Sequence, residues 1–188
     1  MKVARINKII FSEVIRMQLQ SLGKIITKPE IERRFLVNYL QKNWDSHPHL
    51  EYKQGYLKTD DEISVRLREA GNKHFYTVKT GTGKVRDEAE TSISDYFFNS
   101  FWHLTKDRRL KKTRYEIPHK DLTLQLDIFK KYLKGLVMVE VEFNTIEQCD
   151  SFIPPEWFGE EVTDNRKFTN KSLAIHGIPK GFKGWIFT

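Results

Sequence analysis

Charged residues recur two apart, with mostly apolar residues between them, in segment after segment of this chain. Glu30, Glu32 and Arg34 lie in EIERRF, Arg66 and Arg68 in SVRLR, Glu88 and Glu90 in RDEAE, Lys112 and Arg114 in KKTRY, and Glu140 and Glu142 in VEVEF. In an extended strand residues i and i+2 share a face, so each set converges on one side of a sheet. Paired glutamates on one strand face are hard oxygen ligands suited to Mg2+ or Mn2+. Arginine forks give bidentate hydrogen bonds to phosphate oxygens, and lysine supplies a movable point charge. A sheet face carrying both kinds is costly to bury unless a polyanion and its divalent cations fill the space between them. The pattern points to a metal-dependent triphosphate site. The competing reading makes each charged face a solvated exterior, with Val65, Leu67, Val139, Val141 and Phe143 forming a common core on the other side. Five such strands, some wholly basic and some wholly acidic, weigh against it.

The elements that must position these residues are mostly strands. Alternation predicts them at 28–37, 51–58, 61–70, 73–80, 83–90, 109–117, 121–130 and 136–143. Turn residues separate several of them: AGNK at 70–73, TGTGK at 80–84, IPHK at 117–120 and LKG at 133–135. Connections this short make antiparallel hairpins. Ser92 to Leu104 (SISDYFFNSFWHL) has a helical period with a wide apolar face, and a short helix is expected at 145–152, ended by Pro154–Pro155. The expected class is α+β, mainly β. Eight strands in a row predict a closed antiparallel barrel or two packed sheets, with helices available to cover the apolar faces.

With 188 residues, 39% hydrophobic and 13% aromatic, the chain is long and apolar enough for one real core. Its formal net charge of +7 favours an anionic partner: nucleic acid, an acidic membrane surface or a phosphorylated small molecule. The lone Cys149 excludes an internal disulfide and fits a reducing compartment, so a cytoplasmic protein is expected. No apolar run approaches the ~20 residues of a membrane span. Residues 1–27 read as a basic extension preceding a domain at 28–188. Within it Ile6, Ile10, Val14 and Met17 fall at helical spacing over residues 4–22, among Lys2, Arg5, Lys8, Arg16 and Lys24. It could dock on the outside of the domain, touch a membrane surface or serve in targeting.

Other candidate features carry less. His47 and His49 read as loop residues, the G-T-G at 81–83 is too short for a phosphate loop, and Cys149 reads as packed. Trp157 and Phe158 beside Pro154–Pro155 read as a structural plug.

The string PEIERRFLV resembles the opening ExExK motif of the CYTH superfamily, the triphosphate tunnel metalloenzymes. That superfamily includes inorganic triphosphatases, thiamine triphosphatases and class IV adenylyl cyclases. QGYL at 54–57, SVRLR at 64–68, YTVK at 76–79, RDEAE at 86–90, KTRYEIP at 112–118, LDIF at 126–129, GLVMVEVEF at 135–143, EVT at 161–163 and FTNKSLA at 168–174 follow in the family's order. The resemblance therefore runs over residues 29–175. It implies an eight-stranded antiparallel tunnel with charged side chains inside and helices outside.

By the same resemblance Glu30 and Glu32 belong to a Mg2+ or Mn2+ site, joined by Asp127, Glu140 and Glu142. Glu88 and Glu90 match further acidic positions or pair with the basic residues. Arg66, Arg68, Lys79 and Arg114 would grip the phosphates, with Lys112 a further candidate and Lys167 or Lys171 supplying one more cation. Arg34 stands where the family commonly has lysine. In phosphatase members that lysine works with a tyrosine of the QGYL segment, here Tyr56, in activating water. Arginine does not accept a proton at physiological pH, but it can hold a phosphate and lower the pKa of Tyr56. The expected base is then Tyr56 or a metal-bound water. The implied activity is hydrolysis of a linear triphosphate, inorganic tripolyphosphate ahead of nucleoside and thiamine triphosphates. The alternatives are a non-catalytic triphosphate- or polyphosphate-binding module and an adenylyl cyclase of the same fold. Nucleic acid is not the expected partner, because the basic pairs point inward; monomer and homodimer both stay open.

Overall fold

Nine strands and three short helices are present in the computed structural model, which describes residues 28–57, 63–81 and 85–182. The helix predicted over residues 4–22 lies outside the described residues. The strands are β1 (Lys28–Val37), β2 (His49–Tyr56), β3 (Ile63–Ala70), β4 (Lys73–Thr80), β5 (Val85–Ile93), β6 (Arg109–His119), β7 (Leu122–Phe129), β8 (Val137–Phe143) and β9 (Phe158–Glu161). The helices are α1 (Asp95–Trp102), α2 (Ile146–Ser151) and α3 (Asn170–His176). Ser94 starts α1 by accepting from the Phe97 amide at 3.1 Å, and Thr145 starts α2 in the same way from the Gln148 amide. β9 and α3 have no counterpart among the predicted elements, since four residues and seven residues are too short to show a clear period.

All pairings are antiparallel, in the order β5-β4-β3-β2-β6-β7-β8-β1, and β1 returns to β5 to close an eight-stranded barrel. The closing seam is short: Lys28–Ile31 against Val85–Glu88. The far half of that β1 edge is taken instead by β9, at Phe35 and Val37. The two-sheet alternative is thereby excluded.

The alternation places charge inside and grease outside. Ile31, Phe35 and Val37 of β1 join Leu124, Leu126, Val139, Val141, Phe143 and Cys149 in a cluster on the outer wall. Trp157 and Phe158 belong to this cluster, with the Phe158 ring 4.9 Å from Phe35; they cover the wall rather than plug a mouth. A second outer cluster packs Phe98 of α1 on Leu67 and Tyr76 of β3 and β4. The third lies within the barrel, because Tyr56, Leu110 and Met138 share strand faces with Gln54, Lys112 and Glu140. There Phe168 and Leu173 of the C-terminal segment complete an apolar plug at one end.

Gly55 marks where the helical layer presses hardest on the barrel. A Cβ there would sit 2.5 Å from Thr105 Oγ1 and 2.8 Å from Trp102 Cζ3. Gly55→Ala is therefore expected to destabilise the fold by about 1–3 kcal/mol through overpacking, read as a lower urea midpoint with an unchanged slope.

Candidate active site

Inside the barrel lies a cavity of about 1010 Å3. Glu30, Glu32 and Arg34 line it from β1, Tyr56 from β2, Arg66 and Arg68 from β3, and Lys79 from β4. Glu88 and Glu90 enter from β5, Arg114 from β6, and Glu140 and Glu142 from β8. Lys171 of the C-terminal segment lines it and Lys167 does not. Nearly every residue singled out from its spacing converges on this one space.

Two do not. Lys112 and Asp127 are fully buried behind the lining, where the Lys112 ammonium donates to Asp127. Arg114 takes the same carboxylate with Nε at 2.7 Å and Nη2 at 2.6 Å. Each Asp127 oxygen thus has a cation on it in the ion-free protein. Their strand faces are the right ones, but they sit one step too deep.

Arg86 also lines the cavity, and its spacing from Glu88 and Glu90 on the same face of β5 is the signal that marks it. Its Nη2 donates to Glu30 at 2.9 Å and to Glu32 at 2.5 Å. Asn170 and Thr163 also line the cavity, the first from a short helix and the second from a loop, whose inward direction no local pattern reveals.

The charges are arranged in opposition. Lys79 donates to both Glu30 oxygens at 2.6 and 2.7 Å and reaches Glu88 at 2.8 Å. Arg66 donates to Thr77 at 3.1 Å and Glu90 at 3.3 Å, and Arg68 to Glu90 at 2.5 Å. The Nε–H groups of Arg66, Arg68 and Arg86 are buried with no acceptor among the described residues, and that of Arg34 has only a long 3.4 Å approach to a Glu32 oxygen. Unmet donors on three guanidinium groups facing one cavity call for a ligand rich in acceptor oxygens.

Burial works against a charge on Glu30, but Lys79 and Arg86 overcome it and hold its carboxyl down to about 2. Glu32 goes the other way, pushed up to about 7 by burial and by the neighbouring Glu30 and Glu140. In register it also faces Glu142 directly across β8. Burial resists the charge on Glu140 too, yet Lys112, Arg114 and Arg34 hold it well below the usual carboxylate range. Burial pushes the Tyr56 hydroxyl up to about 12. That corrects the expectation that Arg34 would lower it: desolvation of the phenolate outweighs the neighbouring cations.

These shifts set a pH dependence for the ion-free protein. Glu32 binds its proton more tightly folded than unfolded, so its contribution to stability is complete below 4.5 and is lost as pH rises through about 7. Glu30 contributes above 4.5 and loses that contribution as pH falls toward about 2. Glu32→Gln is therefore expected to melt higher than the natural sequence at pH 8 in a chelator, with the gap closing by pH 4.5. Melting curves across that range check it; a gap independent of pH would mean the Glu32 proton is not involved.

The carboxylates also bear on a cation. Among the described residues no three His, Cys, Asp or Glu side chains form a ready-made cage. Mg2+ needs none, because it takes one or two carboxylates and fills its shell with water and phosphate oxygens. Glu30 and Glu32 on one strand face suit that manner of binding.

Comparison with known proteins gives a consistent picture. The CYTH domain matches residues 28–172. An inorganic triphosphatase of Nitrosomonas europaea is 43% identical over 150 residues, covering 78% of this chain and 97% of that protein. An inorganic triphosphatase of Acetivibrio thermocellus is 33% identical over 160 residues, covering 82% and 97%. A crystal structure of an inorganic triphosphatase superposes with a TM-score of 0.60 at 39% identity, covering 80% of this chain and all of the other.

Proposed function

This chain belongs to the CYTH domain family, and we propose that it hydrolyses a linear triphosphate, with inorganic tripolyphosphate as the substrate and Mg2+ or Mn2+ as the cofactor. The observation that carries this reading is the balance of charge in the cavity. Among the described residues eight Lys and Arg side chains and eight Asp and Glu side chains line it. A neutral lining does not concentrate a bare polyanion. It suits a polyanion that arrives with its own divalent cation, each half exchanging for one half of the protein's internal ion pairs. Names of relatives that share about two-fifths of the sequence support the same substrate.

In this reading Arg66, Arg68, Lys79 and Arg86 leave Glu30, Glu88 and Glu90 to take phosphate oxygens, the arginines through forks that match phosphate geometry. Glu30 and Glu32 would hold the ion, with Glu142 facing Glu32 and Glu140 facing Arg34 from β8. When bound, the ion supplies charge neutralisation at the phosphoryl oxygens and activation of water. Water attacks the terminal phosphorus in line with the bridging oxygen that leaves as pyrophosphate. Tyr56 keeps its proton near neutrality and serves as a hydrogen-bond donor at the floor of the site. No helix among the described residues is long and apolar enough to cross a membrane, and a buried Cys149 supports placing the activity in the reducing cytoplasm.

The deciding assay is phosphate release from tripolyphosphate by the purified protein with Mg2+ or Mn2+. Turnover is expected; background rates across a broad pH and metal range would return the protein to a binding role. ATP converted to ADP and phosphate, without cyclic product, would separate it from a cyclase.

A further inference from the structure

We propose that Asn170 is a positioning residue for the cavity carboxylate Glu140, and that Arg34 acts through it by fastening the C-terminal segment into the barrel. The kinetic half of this inference rests on the triphosphatase reading; the structural half does not.

Arg34 ties β1 to the C-terminal segment four times. Its amide donates to Thr163 Oγ1 at 3.0 Å, and its carbonyl accepts from the Val162 amide at 2.8 Å. Its Nη2 donates to the Thr163 carbonyl at 2.6 Å and its Nη1 to the Phe168 carbonyl at 3.4 Å. Two separate carbonyls, five residues apart in sequence, are thus held by one planar fork. A lysine ammonium is a single point and cannot hold both with the same geometry. The residue at this position is therefore committed to chain placement as well as to facing the cavity.

That placement delivers Asn170. Phe168 and Leu173 lock into the apolar plug, and Thr169 starts α3 by accepting from the Ser172 amide at 3.1 Å. Asn170, the first residue of α3, then reaches inward. Its Nδ2 donates to Glu140 Oε1 at 2.9 Å, and its Oδ1 accepts from the Lys112 ammonium at 3.3 Å. An amide suits this spot because it both donates and accepts, one end meeting a carboxylate and the other a buried ammonium. The second Glu140 oxygen is taken by Arg114. Glu140 is thus clamped at both oxygens, and one of the two clamps depends on a segment that Arg34 holds.

The test has two arms. In substrate-free, metal-free protein, Arg34→Lys is expected to speed amide hydrogen exchange at Phe168, Leu173 and Gly177 by tenfold or more, leaving β6 and β7 unchanged. In turnover of tripolyphosphate, Asn170→Ala and Asn170→Asp should each lower kcat by about tenfold or more through misplacement of Glu140. KM should stay within about threefold, since Asn170 does not grip substrate. Asn170→Asp keeps the shape and loses the donor, so full activity in that variant overturns the positioning role. The double variant Arg34→Lys/Asn170→Ala should be no slower than the worse single, because both act through one contact; independent, multiplying losses overturn the coupling. A rise in turnover in Arg34→Lys, or unaltered exchange, overturns the fastening role. Lack of turnover in the natural sequence would defeat the triphosphatase reading and leave the exchange arm to decide the fastening.

Discussion

Asp127→Ala is expected to lower the stability of the ligand-free protein by about 3–5 kcal/mol, the usual consequence of removing one partner from a buried ion pair. Asp127 and Lys112 are both fully inaccessible, and the carboxylate takes hydrogen bonds from Lys112 and from two nitrogens of Arg114. Burial and the adjacent Arg114 already drive the Lys112 pKa down. Without Asp127 the ammonium would keep the Asn170 amide and the nearby Glu140 charge, with burial weighing more heavily against it. Lys112→Met in the same background should restore much of the loss, because the stranded cation is then replaced by an apolar chain of similar length. Urea unfolding of the two variants in a chelator measures both effects. Should Asp127→Ala leave the ion-free protein within about 0.5 kcal/mol of its parent and only raise the metal requirement, Asp127 would be an ion ligand after all.

Arg66→Ala should weaken binding of tripolyphosphate by about 10- to 150-fold, which corresponds to the roughly 1.5–3 kcal/mol of a hydrogen bond to a charged group. The Arg66 side chain is nearly buried and lightly held, at 3.1 Å from Thr77, 3.3 Å from Glu90 and 3.7 Å from Glu88. Its Nε–H has no acceptor. Long contacts and an unmet donor describe a group waiting for better acceptors. The matching control is Lys53, on the opposite face of neighbouring β2, where it pairs with Glu69 at 3.1 Å. Lys53→Ala should leave affinity unchanged. Calorimetric titration with Mg2+ present reads both, and equal effects at the two positions would show that general charge, not the cavity, attracts the ligand.

Strand faces were legible in the sequence because side-chain direction in a strand is a local, two-residue property. EIERRF, SVRLR, RDEAE and VEVEF each state which residues point together, and the barrel respects every one of them. The hairpin turns were equally legible: Gly71 takes φ +58 in the β3–β4 turn, a conformation that glycine adopts without strain. The eight main strands consequently lie close to their predicted spans.

Depth and partnership were not legible, because they depend on which strands meet and at what stagger. Lys112 and Arg114 have the same parity and differ by one pleat, yet Arg114 reaches the cavity and Lys112 ends behind it. That difference is set by the pairing of β6 with β2 and β7 and by the plug that fills the barrel end, both of them long-range. Closure itself rests on a four-residue seam between β1 and β5, more than fifty residues apart. Tyr56 illustrates the same limit: cations nearby in space would lower its pKa, but the burial created by Phe168 and Leu173 overrides them. The motif fixes Arg34 as an inward charge, and only the return of the distant C-terminal segment gives its fork two carbonyls to hold. Local chemistry chose the side chains and the face they share; tertiary register decided which of them meet the ligand and which hold those that do.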